Sequence, residues 1–197
     1  FQYPIVDVIF SNTEQLPATE QERRAIYDIF CTDSIGNRFI VEMQKSKITH
    51  FKDRALIYVS FPIQTMTQKG DWDFKLDAIY YLSLLDFWYE PQKTAKLDRL
   101  VQLIDQYGDI FYKKLQMKFI QLPVFDKKLV DLQSRYDQWI YFLKHIENMD
   151  AIPELFMTDS KFKKAITIAE IAKMKPEDAM KYNLNRMEYM EIKGVSD

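Results

Sequence analysis

The sequence predicts an α/β protein: a β-sheet core flanked by helices, followed by an α-helical extension toward the C-terminus. Three observations point there. The first half carries short apolar or alternating runs bounded by turn residues, which is the pattern of strands. The composition is that of a packed globular chain, with 197 residues, 47% hydrophobic and 15% aromatic side chains, and only 4 glycines. Beyond Pro123 the apolar period lengthens from two residues to three and four, so the chain turns helical.

Taken in order, residues 5–10 are expected as a first strand and residues 12–22 as a polar loop. Strands at 24–32 and 38–44 then flank Ser34-Ile-Gly-Asn37, a good hairpin signal. Asp33 lies at that turn, where aspartate is favoured because it caps backbone groups. From residue 48 to residue 60, Phe51, Ala55, Tyr58 and Val59 have helical spacing, and Pro62 is expected to kink or end that helix before 64–68 resumes it. Lys69-Gly-Asp-Trp72 reads as a turn. Residues 76–88 are dense in aromatic and aliphatic side chains and read as a central strand buried on both faces. A strand pair is expected at 97–104 and 111–122. Farther on, Trp139, Phe142, Leu143, Ile146 and Met149 follow helical spacing, as do Phe162, Ala165, Ile166, Ala169 and Ala172. Pro176 with two acids after it resembles a helix start. The division expected is a core over 1–125 and a helical extension over 126–197 packed on it.

Composition narrows the function classes. The 27 basic and 29 acidic residues nearly cancel, so no global positive field advertises nucleic-acid binding, although a local basic groove remains compatible with it. The single cysteine, Cys31, excludes an internal disulfide and a multi-cysteine zinc site, and suits a small core residue. There is no signal peptide and no apolar run of membrane-spanning length, so the cytoplasm is the expected compartment and no membrane partner is expected. The chain starts at Phe1 without a methionine, which suggests a missing upstream segment.

The chemistry concentrates in the hairpin. Asp28, Glu42 and Gln44 interrupt two runs otherwise suited to a buried sheet. Side chains alternate along a strand, so Glu42 and Gln44 share a face while Met43 points the other way. A register that sets Asp28 against Glu42 or Gln44 brings all three together, whereas a slip of one residue sends Asp28 to the opposite face. Neighbouring carboxylates repel, and burial raises that penalty, unless a cation or a proton sits between them. A divalent-metal site is the economical explanation. The bland alternative for Asp28 is a structural pairing with Arg24 or Arg54.

An aspartate on one strand, a turn, then Glu-x-(Lys or Gln) on the next resembles the PD-(D/E)XK nuclease superfamily. Phe39-Ile-Val-Glu-Met-Gln44, Phe51-Lys-Asp-Arg-Ala55, Lys69-Gly-Asp-Trp72, Phe119-Ile-Gln-Leu-Pro-Val-Phe125, Asp137-Gln-Trp-Ile-Tyr-Phe-Leu-Lys144 and Ala169-Glu-Ile-Ala-Lys173 extend the likeness to its Rpn-type recombination-promoting nuclease and transposase branch. The similarity covers essentially the whole chain. It implies a restriction-endonuclease-like mixed β-sheet and metal-dependent hydrolysis of DNA in recombination or mobile elements. Asp28 and Glu42 would bind Mg²⁺, or Mn²⁺ as a substitute, helped by the Met43 backbone carbonyl. Gln44 stands where the superfamily usually has lysine, so it can position a water but supplies no charge. The superfamily also places a further acid on a helix ahead of the first strand, and no such helix is visible in the sequence.

Around this trio the readings stay open. Arg54 could contact the scissile phosphate or bridge Asp28 or Asp53. Lys45, Lys47 and Lys52 could grip the phosphate backbone or line a charged helix entrance. Gln64 could line a DNA groove or a solvated face, and His50 could act as a base or sit idle on the surface. Trp72, Trp88 and the aromatic cluster at 80–89 read as core. DNA is the expected partner, with a homodimer left open. The alternative function is a weak or inactive DNA-binding module that keeps the nuclease fold, and RNA cleavage by the same site is a third.

Overall fold

The computed structural model describes residues 4–10, 28–47, 49–67, 75–149 and 151–173. Two compact units divide the chain, Phe1–Tyr141 and Phe142–Asp197. The expected loop at 12–22, the Lys69–Trp72 turn and the helix start at Pro176 lie outside the described residues.

The first unit is built on a mixed six-stranded sheet. Its strands are β1 (Ile5–Phe10), β2 (Ile29–Asp33), β3 (Arg38–Gln44), β4 (Ile79–Leu85), β5 (Asp98–Ile104) and β6 (Ile110–Gln121), in the spatial order β1-β2-β3-β4-β6-β5. Strands β1, β2 and β3 form an antiparallel meander. The helix α1 (Phe51–Thr67) then carries the chain to β4, which runs parallel to β3. Strand β6 lies parallel to β4 and antiparallel to β5, so β5 ends up at the sheet edge.

The β2–β3 turn forms because Asp33 satisfies it. One carboxylate oxygen of Asp33 accepts from the amides of Ile35 (3.1 Å) and Asn37 (2.9 Å), and the other accepts from the Asn37 side chain (2.8 Å). Gly36 takes a positive φ of 89° there, a conformation glycine adopts without a Cβ penalty.

The central strand is shorter than the 76–88 run suggests. It pairs residue for residue with β3 from Arg38↔Ile79 to Gln44↔Leu85, and the ladder closes where the Asp86 amide donates to the Gln44 carbonyl. Its neighbour's length therefore sets its own. Of the strand expected at 24–32, residues 24–27 lie outside the described residues, and β2 covers Ile29–Asp33. Asp28 occupies a bend just before Ile29 and is not a mid-strand residue.

Helix α1 runs through Pro62 without ending there. Proline removes one helical hydrogen bond and costs about 3 kcal/mol in a helix interior. Here Pro62 is buried, and its carbonyl accepts from the Arg38 guanidinium (3.0 Å) and the Thr65 hydroxyl (3.0 Å). Tertiary packing overrides the local preference. The same face of α1 buries Phe51, Ala55, Val59 and Met66 in a core with Ile40, Ile79, Tyr81, Leu85, Met117 and Phe119 of the sheet. Cys31 is free and buried, as expected for a small core residue.

Helix α2 (Arg135–His145) crosses the boundary between the units. The second unit adds a short helix α3 (Glu154–Met157) and α4 (Ser160–Lys173). Phe142, Phe156 and Phe162 form its core, with ring centroids 5.0 to 5.5 Å apart.

Candidate metal and active site

The site lies toward the carboxyl end of β3, on the sheet face that α1 covers. That end of parallel strands is where α/β sheets usually expose ligand-binding groups. Alternation along β3 buries Glu42 (2% exposed), leaves Met43 exposed and returns Gln44 to the Glu42 face. Continuing the β2–β3 ladder one step past Ile29↔Val41 sets Asp28 opposite Glu42.

The two acids brace each other. The Asp28 amide donates to Glu42 Oε1 (3.2 Å), and the Met43 amide donates to Asp28 Oδ2 (2.7 Å). Each carboxylate thus fastens the backbone beside the other, where the regular ladder has stopped. Charge-assisted bonds of this kind are shorter and stronger than neutral ones. The cost falls on protonation. Burial first, and then the negative charge of Asp28, push the Glu42 carboxyl up to about 7, against the opposing pull of the Asp28 amide, Arg54 and Gln44.

Gln44 completes the trio. Its side chain hydrogen-bonds Glu42, while its Oε1 is buried and has no hydrogen-bond partner. A buried acceptor left unmatched costs about 1–3 kcal/mol, so such an atom asks for a donor or a cation. Two carboxylates and an amide oxygen are hard oxygen donors, the set that suits Mg²⁺ or Mn²⁺ and not a thiolate-seeking metal. On this observation the residues present fit a divalent cation. Among the described residues no group of three or more His, Cys, Asp or Glu side chains could hold a metal, so neutral oxygens would complete the coordination.

The other predicted residues distribute unevenly. Arg54 sits on the first half of α1 with its guanidinium 4.8 Å from the Tyr58 ring centroid, and its charge is felt at Glu42. Lys45 and Lys47 are exposed just beyond β3, and exposed Lys52 lies 6.0 Å from the Tyr89 ring centroid. Gln64 is exposed on the same helix but ten residues past Arg54, about 15 Å along the axis at 1.5 Å per residue, so it is not brought to the acids. His50 has a positive φ of 57° and pairs with exposed Asp53 at 3.4 Å, in an open pocket with Lys47, Lys52 and Tyr89. Trp88 is more exposed than its apolar surroundings suggested, because it falls beyond the end of β4.

Three residues near the acids escaped the sequence reading. Ser83 on β4 stands in register with Glu42 and is wholly buried. Tyr81 shares that face, and burial followed by the Glu42 charge pushes its hydroxyl up. Tyr58 of α1 is raised chiefly by burial and bonds Arg54. Ser83 had a signal, as a lone small hydroxyl in the run Ile79–Leu85, whereas the tyrosines looked like ordinary core. Gln121, at the end of β6, is buried for a structural reason. It accepts from the Tyr89 amide and donates to the Lys96 carbonyl, which fastens the segment leading to β5.

A family model described as PD-(D/E)XK nuclease family transposase matches residues 2–193. Comparison with curated proteins and with solved structures returns no significant match. The mixed six-stranded sheet flanked by helices is the fold of that nuclease family.

Proposed function

The chain belongs to the PD-(D/E)XK nuclease family of transposases, and from that premise we propose that it is a Mg²⁺-dependent DNA endonuclease acting in recombination or mobile-element movement. Nucleases of this family typically use a divalent metal, and DNA is the substrate that membership implies. The single observation that carries the reading is the mutual brace of Asp28 and Glu42, two acids held side by side beside an unmatched Gln44 oxygen.

In this reading Asp28, Glu42 and the Met43 carbonyl hold the cation, with Mn²⁺ able to substitute. When bound, a divalent cation supplies positive charge to the phosphate and acidifies a nearby water. The residues of the chain do the remaining work. Gln44 Oε1 accepts a hydrogen bond from the attacking water and fixes its direction, without adding charge. Arg54, steadied over Tyr58, offers a planar fork to two phosphate oxygens. Lys45, Lys47 and Lys52 contact the backbone without reading sequence, and Gln64 meets the DNA farther along α1. No helix of the described residues is long and apolar enough to cross a membrane, and a cytoplasmic protein meets its DNA directly. A homodimer would present two sites to the two strands of a duplex.

The test is nicking of supercoiled plasmid with Mg²⁺ or Mn²⁺, comparing wild type with Asp28→Ala. Activity in the wild type alone is expected. Equal inactivity across metals would sink the nuclease reading. The absence of a lysine at Gln44 specifically favours the second reading, a DNA-binding module with weak or no cleavage. A gel shift without nicking would establish it.

A further inference from the structure

The sheet ends at β5, which among the described residues pairs only with β6. An edge strand presents unpaired backbone groups, and natural edges are usually kept short, charged or covered. This edge is not. Leu100, Val101, Leu103 and Ile104 are exposed along it, and Tyr107 (82% exposed) and Phe111 (79%) stand out at the hairpin end. The tip is firmly built. Asp105 Oδ1 accepts from the amides of Tyr107 (2.9 Å) and Asp109 (3.0 Å), and the Gly108 amide donates to the Asp105 carbonyl (3.2 Å). Exposed apolar side chains on both faces of an ordered edge strand mark it as a place for another strand to pair. Two aspartates at the tip make it a poor face for nucleic-acid phosphates.

We propose that β5 pairs antiparallel with β5 of a second copy about a two-fold axis at Gln102, joining the two sheets edge to edge. The sequence of the strand selects this register. With the axis at Gln102, Leu100 faces Ile104 and Val101 faces Leu103, while Arg99 comes opposite Asp105, the first residue past the strand, of the other copy. Both apolar pairs and both charge pairs are then matched, the arrangement that stabilises cross-strand neighbours. A two-fold of this kind keeps each side chain on its face, so the axis can move only by whole residues, and moving it to Val101 sets Asp98 against Ile104 and Leu100 against Gln102. Moving it to Leu103 sets Val101 against Asp105 and Ile104 against Gln102. Arg99 already bridges Glu90 at 3.0 Å within its own chain, yet its side chain remains partly exposed and can share its charge. A two-fold axis is also the symmetry expected of a closed homodimer. The proposal gives the homodimer of the preceding section a surface, and its measurements do not depend on cleavage.

Sedimentation velocity on the full chain should show a concentration-dependent dimer. Leu100→Lys and Ile104→Glu are exposed-position changes that should each weaken it at least about tenfold, while the double variant restores it because the two positions face each other. Oxidation of Gln102→Cys should give a covalent dimer, since cross-strand partners lie within disulfide reach of about 4.4–6.8 Å. Leu100→Cys should not, because its two copies would lie roughly 13 Å apart at about 3.3 Å per residue. A wild-type monomer at all concentrations would overturn the proposal and leave the surface to another protein or another segment. A dimer indifferent to the single variants, or cross-linked equally through both cysteines, would overturn it as well. Loss of nicking with the dimer intact would count against the nuclease reading alone.

Discussion

Replacing Glu42 with glutamine tests the central feature of the site, the shared field of two carboxylates. The Glu42 carboxyl sits at about 7, against an ordinary 4.5, because it is buried beside Asp28. The folded protein therefore keeps a proton that the unfolded chain releases. Stability from this source is fully present below about pH 4.5 and is lost as pH rises through about 7. At about 1.4 kcal/mol per pH unit, the gap amounts to about 3 kcal/mol as an upper bound. For a chain of this size that corresponds to about 6–12 °C in melting temperature. In metal-free buffer the wild type should lose that much more than Glu42→Gln between pH 4.5 and pH 8, measured by circular dichroism or calorimetry. Asp137, lowered chiefly by its bond to Lys127, contributes with the opposite sign, but equally in both proteins, so the difference curve removes it. Adding Mg²⁺ at pH 8 should raise the wild-type melting temperature and leave the variant nearly unmoved, since the cation then takes the place of the proton. Parallel curves for the two proteins would refute the reasoning, because they would mean that Glu42 titrates as an ordinary glutamate.

Three further outcomes are expected. Gln44→Lys places an ammonium beside Glu42, so it should flatten the pH dependence just described and raise Mg²⁺-dependent plasmid nicking at least about tenfold, as a group that neutralises developing charge does. Asp33→Ala removes three hydrogen bonds from the β2–β3 turn and should cost about 2–3 kcal/mol in urea unfolding, since the amides it leaves are half-buried. Phe156→Ala opens the aromatic core of the second unit and should cost about 3–5 kcal/mol there. Hydrogen exchange should then accelerate in α4 while the amides of β3 and β4 keep their protection.

Much of the fold was legible because it is written locally. Strands β1 and β3 and the β5–β6 pair fall close to their expected limits, since alternation and turn residues are properties of neighbouring positions. The hairpin at Gly36 was readable for the same reason. The helix does not end at Pro62, and the reason is nonlocal. The penalty of a proline is local, but the burial of Pro62 and the Arg38 bond to its carbonyl come from elements distant in sequence. The length of β4 was likewise set by β3 and not by its own apolar run.

The candidate site divides along the same line. By itself the sequence singled out Asp28, Glu42 and Gln44 as polar groups in runs otherwise apolar, and determined which face Glu42 and Gln44 share, because alternation on a strand is fixed by backbone geometry. It could not determine whether Asp28 meets them, because one residue of register reverses its face. Only the tertiary structure decided that, through the Ile29↔Val41 pairing and the crossed bonds of Asp28 and Glu42. It also decided what surrounds them. Ser83 and Tyr81 arrive on β4, and Tyr58 and Arg54 arrive on α1. Burial and proximity to distant charges are properties of the assembled sheet and helix, and they move the Glu42 proton to about 7.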